Sequence, residues 1–183
     1  MSFDTPSMSR VDEYIESDEV VAVVTGGVTG AAVGGLVMTI FALDSIRTVG
    51  QLVGAGSLNG GWLVLLPLGV LLAIPFAAFV SGSINSFVNQ VIMLSSQYSV
   101  LQKVLVPLLN RSALAVTTSS LGAIYGLVVG VVFYLLLLPA WLAVVMGSSI
   151  AVPYLTIPGL VGVVGWLLYG NVLGLTYGLF MEA

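Results

Sequence analysis

The chain has 183 residues, of which 58% are hydrophobic and only 7% charged, against about 25% charged in an average soluble domain. With a mean hydropathy of +1.15, so few charges exclude a soluble globular protein and place the chain in a membrane. A net charge of −4 on four scattered Lys and Arg, with no Cys and no His, argues against nucleic-acid binding and excludes disulfides, thiol chemistry and His-ligated zinc or haem.

Residues 1–19 read as an acidic aqueous leader holding Asp4, Asp12, Glu13, Glu16, Asp18 and Glu19. Val11, Tyr14 and Ile15 are spaced for a short amphipathic turn on the membrane surface, and a plain acidic tail fits the same residues. The stretch is no secretory signal, which would be basic and then apolar. So acidic and Lys-poor an aqueous part suggests a high-salt organism.

Residues 20–43 carry no charge and extend about 36 Å as a helix, enough for the roughly 30 Å hydrocarbon core. They form the first predicted span, ended by Asp44, Ser45 and Arg47. Residues 48–61, rich in Gly, Ser and Asn, read as an outer loop. The second span covers 62–82, with Trp62 as interfacial anchor and Pro67 and Pro75 as kinks. Residues 83–111 keep one apolar stripe, including Ile84, Phe87, Val91 and Leu94, opposite Asn85, Asn89, Gln90 and Lys103. That pattern predicts an amphipathic interfacial helix or a cytoplasmic extension. No charge occurs between Ser112 and Met181, a length that suits two crossings. The third span is placed at 113–138, ending before Pro139, and the fourth at 158–181. Residues 139–157 form an outer connection that partly re-enters the interface.

The predicted fold class is therefore an all-α membrane protein: a leader over 1–19, then a four-helix transmembrane domain over 20–183 built as two tandem hairpins. Four spans put both termini on one side. Arg10, Lys103 and Arg111 share that side and Arg47 lies on the other, so the positive-inside rule makes it cytoplasmic and the protein a multi-pass component of the cell membrane.

Within the spans, glycines recur four residues apart. Gly26, Gly30 and Gly34 share one helix face, as do Gly122, Gly126 and Gly130, and again Gly170, Gly174 and Gly178. Small residues at this spacing let helix backbones approach closely in a membrane, a glycine-zipper arrangement. Faces lining a pore or cradling a flat cofactor are the sharper alternative. Val24, Thr25, Gly30, Gly34 and Phe41 also match Val116, Thr117, Gly122, Gly126 and Phe133 at one constant offset. This suggests an internal duplication about an axis along the membrane normal.

Ionisable groups within a membrane are the default functional signal, and the predicted spans contain none. Among the polar residues, Asn171 needs partners in lipid and is expected to bond across to the cluster running from Thr117 to Ser120. Ser119, Ser120, Ser148 and Ser149 have no His or Lys base near them in sequence. No phosphate loop, zinc motif or nucleophile elbow is present. The expectation is a protein that is not an enzyme and holds no cofactor or metal.

The stretch from Leu168 through Tyr169-Gly170-Asn171 to Tyr177-Gly178 resembles the closing helix of a family of uncharacterised, small four-span membrane proteins of haloarchaea. The Gly-spaced first span and the Leu138-Pro139 step resemble the same family. Members carry a His shortly before the Tyr-Gly step; Gly165-Trp166-Leu167-Leu168 stands there in this chain, so a metal or haem role is not implied. The resemblance implies four spans and, because similar proteins accompany terminal oxidases, an accessory subunit of a respiratory oxidase. Two functions follow as expectations. One is a structural or accessory subunit that packs against the lipid bilayer and other membrane subunits, or against itself. The other is a small membrane transporter or channel.

Overall fold

The computed structural model describes residues 8–97 and 99–182, with side chains described for 18–80 and 114–182. All regular structure among these residues is helical: α1 (Met8–Phe41), α2 (Leu43–Gly50), a 3-10 turn (Gln51–Val53), α3 (Leu58–Gln97), α4 (Ser99–Val128), a π-helical segment (Val129–Leu137), α5 (Leu138–Val144) and α6 (Ile157–Glu182). Four stretches are long and apolar enough to cross a membrane: Asp18–Phe41, Leu58–Val80, Leu114–Val144 and Ile157–Glu182. The fold is an all-α membrane fold of two hairpins, α1 with α3 and α4 with α6.

Hydrocarbon drives these long helices, because each apolar run must satisfy its own backbone where no water is available. Their ends are set by local chemistry. Ser57 caps α3, its Oγ accepting the Gly60 N–H at 3.0 Å. Thr156 does the same for α6, its Oγ1 accepting the Gly159 N–H at 3.2 Å, with Pro158 in the first turn, where a missing N–H costs nothing.

From Met8 on, the backbone of the expected leader is helical and continues into the first span. Residues 1–7 lie outside the described residues, and α1 already begins at Met8. The backbone over 83–111 belongs to α3 and α4, on either side of residue 98. The side chains behind the amphipathic reading lie outside the described residues.

Two expected connections are more ordered than their composition suggests. The 48–61 stretch is largely helical, through α2, the 3-10 turn and the start of α3. Its glycines serve close packing: a methyl group on Gly61 would strike the Ile46 carbonyl, and one on Gly50 or Gly60 the Ala55 carbonyl. Gly54, at φ 77°, is the position here that requires left-handed backbone. The result is a cap on the bundle, with Ser45, Ile46, Thr48 and Val49 buried.

The helix of the third span also does not stop at Pro139. Proline cannot donate to the carbonyl four residues back and its ring crowds that carbonyl. Here the chain widens into π geometry, with the Leu138 N–H bonded to the Phe133 carbonyl, and α5 continues to Val144. The Leu135 carbonyl, four residues before Pro139, accepts the Tyr154 N–H from the following connection at 3.0 Å. Only 145–156 of the expected outer connection lacks helix, and it carries exposed Val145, Met146, Val152 and Leu155.

In the assembled bundle, α6 packs closely against both α4 and α1, α1 packs on α3, and α3 meets α4 least among the neighbouring spans. The interior is filled by Trp166, Tyr134, Tyr169, Phe76, Met38, Leu65 and Leu173, all nearly inaccessible. Outward faces remain apolar, as at Ile40, Phe41, Leu63, Leu71 and Val164. An apolar interior and an equally apolar exterior suit a hydrocarbon solvent.

Candidate functional site

The nine glycines singled out by spacing converge on one helix, α6. On one side, Gly26, Gly30 and Gly34 of α1 face Leu173, Tyr169 and Gly165 in turn. A methyl group on Gly30 would stand 2.6 Å from the Tyr169 carbonyl oxygen, and one on Gly34 2.5 Å from that of Gly165. On the other side, Gly122 and Gly126 of α4 lie against Gly170, and Gly126 also meets the Trp166 carbonyl. Gly130, in the π segment, meets Val163 and Trp166. Gly174 lies against the Thr118 backbone, and Gly178 against Thr118 and Ala115. The α6 helix is thus held between two partners at backbone contact, where dispersion and Cα–H···O contacts replace a hydrophobic drive.

These contacts do not follow the proposed duplication. Gly34 and Gly126 correspond at the constant offset, and a two-fold would send them to α3 and α6 respectively. Both face α6 instead, and α3 is met by a different face of α1, through Gly27 and Gly35.

The polar residues sort differently from their sequence positions. Ser119 bridges α4 to α6, its Oγ donating to the Asn171 backbone carbonyl at 3.3 Å. The half-buried Asn171 side chain shows no bond to Thr117 or Ser120. Ser120 bonds back to the Val116 carbonyl at 2.9 Å and is exposed. Thr117 is buried, and Thr118 bonds back to the Leu114 carbonyl at 2.8 Å. Back-bonding of this kind satisfies a hydroxyl within its own helix. Across the α1–α6 seam, Thr29 Oγ1 and Thr176 Oγ1 stand 3.4 Å apart.

The strongest inter-helix polar contacts come from tyrosines that periodicity does not mark. The Tyr169 hydroxyl donates to the Gly69 carbonyl at 2.6 Å and the Tyr125 hydroxyl to the Leu72 carbonyl at 2.6 Å. Both acceptors lie in the stretch of α3 between Pro67 and Pro75; the carbonyls that those prolines leave without a helical donor are others, of Leu63 and Leu71. At the Arg47 end, the Tyr134 hydroxyl donates to the Ser45 carbonyl at 2.9 Å, and Ser45 Oγ donates to the Pro158 carbonyl at 2.7 Å. Phe76 joins the spans further, 5.4 Å from Tyr125 and 6.0 Å from Tyr177 between ring centroids.

Two carboxylates at the opposite end join elements. The Tyr177 hydroxyl donates to Glu19 Oε1 at 3.1 Å. Glu182 Oε1 accepts the Leu114 N–H at 2.7 Å and the Ala115 N–H at 3.3 Å. Both acids stand at the ends of the apolar runs, a position that sequence reading gives only to leader and tail. The ion pair of Arg47 with Asp44, 3.2 Å, is exposed and contributes little. Among the described residues, no three His, Cys, Asp or Glu side chains gather as a metal site would need.

The described surface is indented by a groove of about 500 Å³ between α1 and α3, headed by Glu19. A second, wholly apolar one of about 310 Å³ lies between α1 and α6 along Val37, Phe41, Val161, Val164 and Leu168. The class that fold and packing define is a multi-pass α-helical membrane protein of four spans. No protein-family model, no curated protein and no solved structure matches the chain.

Proposed function

We propose that the chain is a non-catalytic structural or accessory subunit of a cell-membrane complex, with both termini in the cytoplasm. The observation that carries this reading is the filled interior. Trp166, Tyr134, Tyr169, Phe76 and Met38 occupy the middle of the bundle, each almost inaccessible, and the glycine faces bring backbones together on both sides of α6. A filled interior of this kind supports a structural role over a conduit for solutes. Because the glycine faces are spent inside the molecule, contact with a partner falls to the outward apolar faces. The α1–α6 groove along Phe41 and Val164 is one such face, lined by apolar side chains.

The cytoplasmic placement rests on Arg10, Lys103 and Arg111 at the terminal end against Arg47 at the other. The resemblance to small haloarchaeal membrane proteins makes a respiratory oxidase the first complex to test. Purification from native membranes in mild detergent is expected to bring other membrane subunits down in fixed ratio. A lone monomer under those conditions contradicts the reading.

One observation favours the transporter alternative. Among the described residues α3 and α4 approach each other less than the other neighbouring spans do, and α3 carries Pro67 and Pro75 beside the Tyr125–Leu72 contact. Liposome flux of ions or small solutes decides it: no flux above empty vesicles, with Gly126→Leu behaving the same, removes that alternative.

A further inference from the structure

We propose that the α1–α3 groove headed by Glu19 binds a long-chain amphiphile with an ammonium head, a ligand class separate from any protein partner. The groove, about 500 Å³, falls within the roughly 300–1,000 Å³ of small-molecule sites. Its described walls are alkyl side chains, among them Val20, Val24, Val70, Ile74 and Ala77, and Glu19 is the one charged residue among the described lining residues. A carboxylate has about four lone-pair sites, and the Tyr177 hydroxyl at 3.1 Å takes one of them. That hydroxyl also fixes where the carboxylate sits at the head of the groove.

A carboxylate at the edge of hydrocarbon is costly unless a cation or donors meet it. Among the described residues the only Lys or Arg side chain is Arg47, which stands at the other end of the bundle against Asp44. The charge of Glu19 suits a cation, and the apolar walls below it suit one that carries an alkyl chain. An anionic head would meet Glu19 and, one residue away, exposed Asp18, and like charges repel it. The ammonium would donate to the free lone pairs of Glu19 while the alkyl chain lies along Val24 and Ile74.

The test uses the full chain in neutral-detergent micelles, with hexadecylammonium, hexadecanol and hexadecanoate titrated separately and bound copies counted by native mass spectrometry. Hexadecylammonium is expected to bind roughly tenfold more tightly than hexadecanoate, with hexadecanol between. Glu19→Gln is expected to bring the three together, and Val24→Trp, at an exposed wall position, to abolish binding by filling the groove. Equal binding of the ammonium and carboxylate probes to the wild-type chain overturns the proposal, as it would if Arg10, Lys103 or Arg111 already occupied Glu19. A preference that survives either substitution overturns it too. Should Glu19→Gln fail to fold, the wild-type comparison and Val24→Trp still decide.

Discussion

At Gly122 the neighbouring chain comes so near that a single methyl group meets the Gly170 carbonyl, with the Gly174 Cα 3.1 Å away. Neither obstacle is a side chain that can turn aside, so relief requires α4 and α6 to separate. We expect Gly122→Ala to cost about 3 kcal/mol or more, the upper range for overpacking, measured by detergent-induced unfolding. Gly56→Ala is the control, because its nearest neighbour is the flexible Gln51 side chain at 3.1 Å; it should stay within about 0.5 kcal/mol of the parent. Equal losses at the two sites would mean that backbone contact does not hold α6. Spacing shows which glycines share a face, and that much is legible in the sequence. It does not show which helix a face meets, since Gly26 to Gly34 and Gly122 to Gly130 look alike yet lie on opposite sides of α6. Nor does it reveal the contacts of Tyr125, Tyr134 and Tyr169, whose acceptors are backbone carbonyls common to every residue.

Among the elements, the helices follow from apolar length, and their junctions follow from hydrogen-bond accounting. Pro139 reads as a stop, because sequence alone gives no hint that π geometry and the Tyr154 N–H will absorb the lost rung. The Gly-rich 48–61 stretch reads as a loop, because a glycine needed for tight packing and one needed for a turn are the same letter; only Gly54 is the latter. Glu182 illustrates how an end residue can secure an element: its carboxylate accepts the N–H groups of Leu114 and Ala115 within α4. Hydrogen bonds to a charged group contribute about 1.5–3 kcal/mol. Glu182→Ala should therefore speed amide exchange at Leu114 and Ala115 by about tenfold or more while leaving Thr118 and Leu121, further along the span, near their original protection. Unchanged exchange at Leu114 would show that the contact contributes nothing in solution.

For the whole molecule, the order of contacts matters more than the number of spans. A four-span protein in lipid has no hydrophobic force to bring its helices together, so the arrangement rests on close backbone approach and on a few hydroxyl bonds. Here both converge on α6, which meets α1 and α4 through glycine and reaches α3 through Tyr169. The arrangement puts the first and last spans side by side, a juxtaposition that the two-hairpin reading leaves open. The absence of cysteine from the chain makes this directly measurable. Thr29 and Thr176, whose hydroxyl oxygens are 3.4 Å apart across the α1–α6 seam, are replaced together by cysteine, and the variant is oxidised in intact membranes. The account predicts a rapid disulfide within single chains, linking a first-span peptide to a last-span peptide, since a bridge requires Cα atoms within about 7 Å. Failure to link in the membrane fraction, or recovery of the folded chain from the aqueous fraction without detergent, would contradict it.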